Sequence, residues 1–135
     1  MPVSYLATTW DQPDPDLNRF QSKEDFFRQL CTFIDTHCEE DLSLDQIASL
    51  AGFSKYHFTK LFHHYTGESY YHYLSRQRIA LSTRLLTNPQ YTITEVALNS
   101  GFTSMSAFLR MFHQLEHCTP TEYRRCHQKE PMKII

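Results

Sequence analysis

The sequence predicts an all-α protein, and three observations carry that prediction. Only three glycines occur, at 52, 67 and 101, too few to supply the positive-φ turns that β-hairpins need. Apolar residues recur three and four apart in segment after segment from residue 22 onward. Ser43 with Gln46, Thr92 with Glu95 and Thr119 with Glu122 each set a hydroxyl three residues before a Glu or Gln, the pairing that closes the start of a helix. With 135 residues and 41% hydrophobic content, the chain suffices for one compact domain, or for two very small ones on a rigid connection.

Residues 1 to 21 hold Pro2, Pro13 and Pro15 among acids without a helical period, and read as a flexible leader or linker. A first helix begins near Ser22, where Phe26, Phe27, Leu30, Phe33, Ile34 and His37 make one apolar face that runs out at Glu39, Glu40 and Asp41. Ser43 with Gln46 opens a helix carrying Leu44, Ile47, Ala48 and Ala51. Ser69 to Thr87, between Gly67 and Asn88-Pro89, is expected to form one long helix of about 28 Å. On it Leu74, Leu81 and Leu85 form one stripe and Tyr71, Ile79, Ser82 and Leu86 an adjacent one, an arc broad enough to pack against a unit on each side. Thr92 with Glu95 opens the helix of Ile93, Val96 and Ala97, and Thr119 with Glu122 opens a last helix with Pro120 in its first turn.

The chain also repeats itself. At an offset of 49 residues, Ser43-Leu44-Asp45-Gln46-Ile47-Ala48 faces Thr92-Ile93-Thr94-Glu95-Val96-Ala97, and Gly52-Phe53 faces Gly101-Phe102. After one inserted residue, Phe58, Lys60 and Phe62 face Phe108, Arg110 and Phe112. Each copy is a capped short helix with a small Ala, a Gly that permits a positive φ, and a second helix with apolar residues three and four apart. That is the composition of a helix-turn-helix, whose second helix offers its polar side to the major groove. Residues 22–88 then make a first helix-turn-helix subdomain with its linker helix, 89–128 a second, and 129–135 a tail.

The formal net charge of −2 is unevenly spread. Residues 1 to 42 carry nine acids against three bases, a net −6, whereas 43 to 127 carry eight bases against five acids, a net +3, with seven of the eight His. The basic portion is where DNA would bind, since phosphate contacts need a basic face and not a basic protein. The start has no basic and apolar signal pattern, and no run approaches the ~18 apolar residues of a membrane helix, so a cytoplasmic protein with no membrane contact is expected. Cys31, Cys38, Cys118 and Cys126 are then expected as reduced thiols.

Across residues 24 to 127 the chain resembles the DNA-binding domain of the arabinose-operon activator (AraC/XylS-type) family. The resemblance rests on Ile47-Ala48, Gly52-Phe53-Ser54, Leu61-Phe62, Thr66-Gly67, Tyr73-Leu74, Arg78, Leu85-Leu86, Ile93 to Ala97, Gly101-Phe102, Phe108 to Phe112, and Thr119 to Arg124. It implies seven helices, as two helix-turn-helix subdomains joined by the long linker helix, and a bacterial transcription regulator, with activation through RNA polymerase as its expected output. One monomer is expected to bind double-stranded DNA through successive major grooves, ~34 Å apart on one face, bending it modestly where the spacing falls short. Oligomeric state stays open, as do a small stand-alone activator and the C-terminal reading head of a longer regulator.

In the first recognition helix Phe58, Leu61, Phe62 and Tyr65 take the core face, leaving Lys55, Tyr56, Thr59, Lys60, His63 and His64 outward. The resemblance implies that Tyr56, Thr59 and Lys60 read bases: Lys60 donates to guanine, Tyr56 touches thymine methyls, and Lys55 and His63 reach phosphates. In the second helix Met105, Ser106, Leu109 and Arg110 take the equivalent places, with Arg110 suited to a bidentate guanine contact and His113 to phosphate. For Met105, Leu109 and the His residues, a merely solvated face remains open. Arg78 lies within the apolar arc and is expected to be buried and paired. Two departures stand out. Lys60 replaces the usual Arg, exchanging a rigid fork for a point charge. His117 stands where Gly normally ends the second recognition helix, so that helix is expected to end differently.

A metal site from His113, His117, Cys118, Cys126 and His127 lacks a Cys-x-x-Cys pair, so neither metal nor other cofactor is expected. Cys31 and Cys38, about 10 Å apart along a helix, cannot bond to each other. An enzyme is not expected either, because Glu95 and Glu122 are explained by helix caps and no nucleophile elbow or phosphate loop occurs. The alternative function is a protein-interaction module that contacts RNA polymerase or another protein without specific DNA reading.

Overall fold

A computed structural model describes residues 23 to 128; the leader at 1–21 and the tail at 129–135 lie outside the described residues. Among the described residues there are seven helices and no strand: α1 Lys23–Thr36, α2 Leu44–Ala51, α3 Lys55–Thr66, α4 Tyr70–Leu86, α5 Ile93–Asn99, α6 Met105–Glu116 and α7 Pro120–Gln128. The chain divides into two compact units between Leu74 and Ser75, inside α4.

In the first unit α1 and α2 both pack on α3. The Ser43 hydroxyl accepts from the Gln46 N–H at 3.1 Å while the Ser43 N–H donates to Gln46 Oε1 at 3.3 Å, so the expected capping box forms. Gly52, at φ 83°, ends α2 in the left-handed conformation that only a residue without Cβ takes freely. The core is aromatic. Phe27 of α1 lies against the rings of Phe53, Phe58, Phe62 and Tyr65 at centroid distances of 5.1 to 6.3 Å. Tyr70 and Tyr73, at the start of α4, close it from below Phe62, each at 5.6 Å. Their hydroxyls are satisfied by Leu42 O at 2.6 Å and Asp35 Oδ1 at 2.7 Å. Burial, and then the bond to Asp35, push the Tyr73 phenol far above its usual range.

The second unit is built to the same plan. Thr92 with Glu95 and Thr119 with Glu122 form both bonds of their capping boxes, at 2.9 to 3.1 Å. α6 packs on both α5 and α7. Ile79, Leu86, Val96, Ala97, Phe102, Phe108 and Phe112 make its core. Buried Ser82 and Ser100 donate their hydroxyls to the Ile79 and Val96 carbonyls, so neither leaves an unsatisfied polar atom. Arg124 reaches back from α7 to the end of α4, donating to Leu86 O at 3.0 Å and Asn88 O at 3.1 Å, and so satisfies carbonyls that a helix terminus orphans.

The repeat extends further than the sequence motif. From Phe58 to Tyr70 and from Phe108 to Pro120, the buried, half-buried and exposed positions match residue for residue. The edge-on contact of Phe62 with Tyr73 at 5.6 Å recurs between Phe112 and Tyr123 at 5.7 Å, so the start of α4 serves the first unit as α7 serves the second. Upstream, Phe27, Leu30 and Ile34 are buried on α1 at the spacing at which Ile79, Ser82 and Leu86 are buried on α4. The C-terminal half of α4 therefore stands in the second unit where α1 stands in the first.

Three expectations need correction. α4 is 17 residues, about 26 Å, because Ser69 serves as a cap, accepting from the His72 N–H at 3.1 Å. Tyr71, placed in the apolar arc, is 75% exposed, since Tyr70, Tyr73 and Leu74 already fill the inward side of that turn. And α6 ends as α3 does: His117 adopts the left-handed conformation at φ 64°, its N–H donating to His113 O, as Gly67 at φ 84° donates to His63 O. His is among the residue types that enter this well more readily than most. Arg78 is half-buried.

Candidate nucleic-acid interface

Each unit presents the outer face of its second helix. On α3, Phe58 and Phe62 are buried and Leu61 and Tyr65 half-buried, which turns Lys55, Tyr56, Thr59, Lys60 and His63 outward. On α6, Phe108 and Phe112 are buried and Met111 and Leu115 half-buried, which turns out Met105, Ser106, Leu109, Arg110 and His113. All ten are exposed. They occupy five pairs of equivalent positions 50 residues apart, so the two faces have one register and different side chains.

The α3 face is polar and internally linked. Lys60 Nζ lies 5.2 Å from the Tyr56 ring centroid and donates to its hydroxyl at 3.4 Å. Tyr56 is itself 74% exposed, so this pair stands above the surface. The Thr59 hydroxyl donates to Lys55 O at 2.8 Å, which occupies its proton and leaves its lone pairs and methyl for an incoming group. Lys55 forms an ion pair at 3.2 Å with Asp45 of α2. Both partners are well exposed, so the bond is weak and a phosphate can displace it. His57 and His64 are exposed; the His57 ring meets the Phe53 ring at 5.2 Å and the His64 ring meets Tyr65 at 4.7 Å.

The α6 face carries Arg110 and His113 beside two exposed apolar side chains, Met105 at 36% and Leu109 at 42%. Neither α3 nor α6 has an acid in its first turn, whereas α2 carries Asp45 there and α5 carries Glu95. The positive ends of the two outer helices are thus left uncompensated, which favours an approaching anion. Ser54 and Ser104 cap them, accepting from His57 N–H and Ala107 N–H at 3.1 and 3.2 Å.

The Lys55–Asp45 pair and the exposed Tyr71 and Leu98 escape sequence reading. Asp45 and Lys55 are joined only by the turn between α2 and α3, a relation that no linear spacing announces. The Tyr56–Lys60 pair had a signal, because residues four apart on a helix meet on one face. No disulfide joins the four cysteines; Cys38 is buried, Cys31 and Cys118 half-buried and Cys126 exposed. Burial, and then the Glu122 and Glu116 carboxylates, push the Cys118 thiol up.

Comparison with known proteins places the chain. The helix-turn-helix domain family matches residues 47–126. The chain is 34% identical over 122 residues to a helix-turn-helix-type transcriptional regulator of Staphylococcus aureus, a match that covers 90% of this chain and 16% of that protein. It therefore spans about one sixth of that relative's length. The DNA-binding domain of AdpA, a global transcriptional factor solved in complex with a target DNA, superposes with a TM-score of 0.71 at 26% identity, covering 78% of this chain and 96% of that one. A transcriptional regulator with an AraC-type DNA-binding domain from Chromobacterium violaceum superposes with a TM-score of 0.64 at 27% identity, covering 73% and 88%.

Proposed function

The chain belongs to the AraC-type family of helix-turn-helix DNA-binding transcription regulators, and we propose from that membership that it binds double-stranded DNA sequence-specifically, with α3 and α6 as recognition helices in successive major grooves. The observation that carries this reading is the shared register of the two exposed faces, each set opposite a pair of buried phenylalanines and each bearing a cation, Lys60 or Arg110, at the same position. Lys60 and Arg110 then donate to guanine O6 and N7, with Tyr56, Thr59, Met105, Ser106 and Leu109 against neighbouring bases and Lys55, His63 and His113 at phosphates. Its first reading subdomain takes the helices up to the start of α4, and its second takes the C-terminal half of α4 with α5 to α7. Its output is transcription activation through contact with RNA polymerase, in the cytoplasm. No helix among the described residues is long and apolar enough to cross a membrane.

Selection of bound sequences from random duplex DNA tests this reading. The expected site has two short preferred blocks about one helical turn, ~10 base pairs, apart. Lys60→Ala should relax one block and Arg110→Ala the other, each by roughly 10- to 100-fold in base preference. Affinity should also fall steeply with salt, about 0.9 decades per decade of salt for each phosphate contacted. A single block, or binding indifferent to salt, would favour a protein-interaction module in its place.

A further inference from the structure

The two recognition faces share a register, yet their chemistry differs: besides Tyr56 against Ser106, it changes from polar to apolar at two positions one turn apart. Where α3 presents Lys55 and Thr59, α6 presents Met105 and Leu109, one turn apart and both among the most exposed large apolar side chains of the described residues. Single exposed apolar side chains are ordinary on a protein surface, but these two stand side by side on the face that the reading above turns towards DNA. Arg110 and His113 border them on the same face, so the covering surface must be anionic around an apolar centre. A major groove rich in thymine has that composition: phosphates line its rims, and each thymine projects a C5 methyl to the level of the base edges. Two side chains are also too small an area to anchor a protein partner.

We infer that Met105 and Leu109 make the second unit a reader of thymine methyls, so that the block recognised by α6 is thymine-rich with one guanine for Arg110. The inference rests on the DNA-binding reading above and assigns the base class that half of the site takes. The first unit sets Tyr56 alone among polar neighbours, with Lys60 over its ring, and has no second apolar side chain to match the Met105 and Leu109 pair.

The test replaces thymine by deoxyuridine, which deletes the methyl and keeps every hydrogen bond. A duplex bearing the selected site is made in three forms: unmodified, substituted in the block that Arg110→Ala relaxes, and substituted in the other. Binding to each is measured for the parent chain and for Leu109→Ser and Met105→Ser, whose folding is checked by helicity. Substitution in the α6 block should weaken the parent chain about fourfold for each methyl contacted, from the transfer free energy of one buried carbon. Leu109→Ser should abolish part of that difference, Met105→Ser another part, and neither should alter the response to the other block. An α6 block that accepts deoxyuridine without loss of affinity would overturn the inference, as would serine variants that lose affinity for all three duplexes in the same proportion. If the parent chain selects no sequence at all, the DNA-binding reading itself fails; if it selects one and ignores the methyls, only the inference does.

Discussion

His117 holds φ 64° at the end of α6, the conformation that Gly67 holds at φ 84° at the end of α3. For a residue with a Cβ this conformation costs about 1–2 kcal/mol, through crowding against the carbonyl oxygen. The cost is met because the geometry sends the His117 N–H to His113 O at 2.8 Å and lets the chain turn into α7 at the register at which it turns into α4. His117→Gly should therefore raise unfolding free energy by about 0.5–1 kcal/mol, the strain relieved less the extra freedom of the unfolded glycine. Gly67→Ala should lower it by about 1 kcal/mol through the backbone alone, because a Cβ there would meet no atom within 4 Å. Urea titration of both variants checks the pair, and opposite signs are the expected result. The glycine missing at this position was plain in the sequence, but its consequence was not. Residue type reports the cost of a conformation, and only the packed turn reports whether that cost is met.

At the scale of elements, the capping boxes at Ser43, Thr92 and Thr119 were legible because both bonds lie within one turn. The last box also titrates. The Glu122 carboxylate accepts from the Thr119 N–H at 2.9 Å, and that bond holds its pKa below the usual carboxylate value. A depressed folded value stabilises α7 above the ordinary glutamate pKa of about 4.3, and the contribution drains away as pH falls through the lower, folded value. Amide exchange at the start of α7 should quicken in that window below about pH 4.3, and Glu122→Gln should flatten the dependence there. An unchanged pH profile in the variant would remove Glu122 as its source. Less legible was the side of α4 that faces inward at its start. A wheel drawn over the whole helix put Tyr71 in the arc, yet Tyr70 and Tyr73 are the buried pair, because that turn packs on Phe62 of its own unit.

At the scale of the whole molecule, each unit organises its core around aromatic rings in mostly edge-on or tilted contact, and Phe27 touches most of those in the first. Phe27→Ala should cost about 3–5 kcal/mol in urea unfolding, since the rings of Phe58, Phe62 and Tyr65 leave little freedom to close the cavity. A loss under about 1 kcal/mol would show that the site collapses around the alanine. The all-α class, the helix order, the helix-turn-helix repeat and the outward faces of α3 and α6 follow from the amino-acid order, because caps and apolar periods act between residues a few positions apart. The equivalence of α1 with the second half of α4 does not follow from it: Phe27, Leu30 and Ile34 share burial with Ile79, Ser82 and Leu86, yet no position carries the same residue as its counterpart. Nor do the grip of Arg124 on the end of α4 or the tether of Lys55 to Asp45. Packing selects for volume and position, and ion pairs for proximity, so relations of that kind exist only once the chain has folded distant segments together.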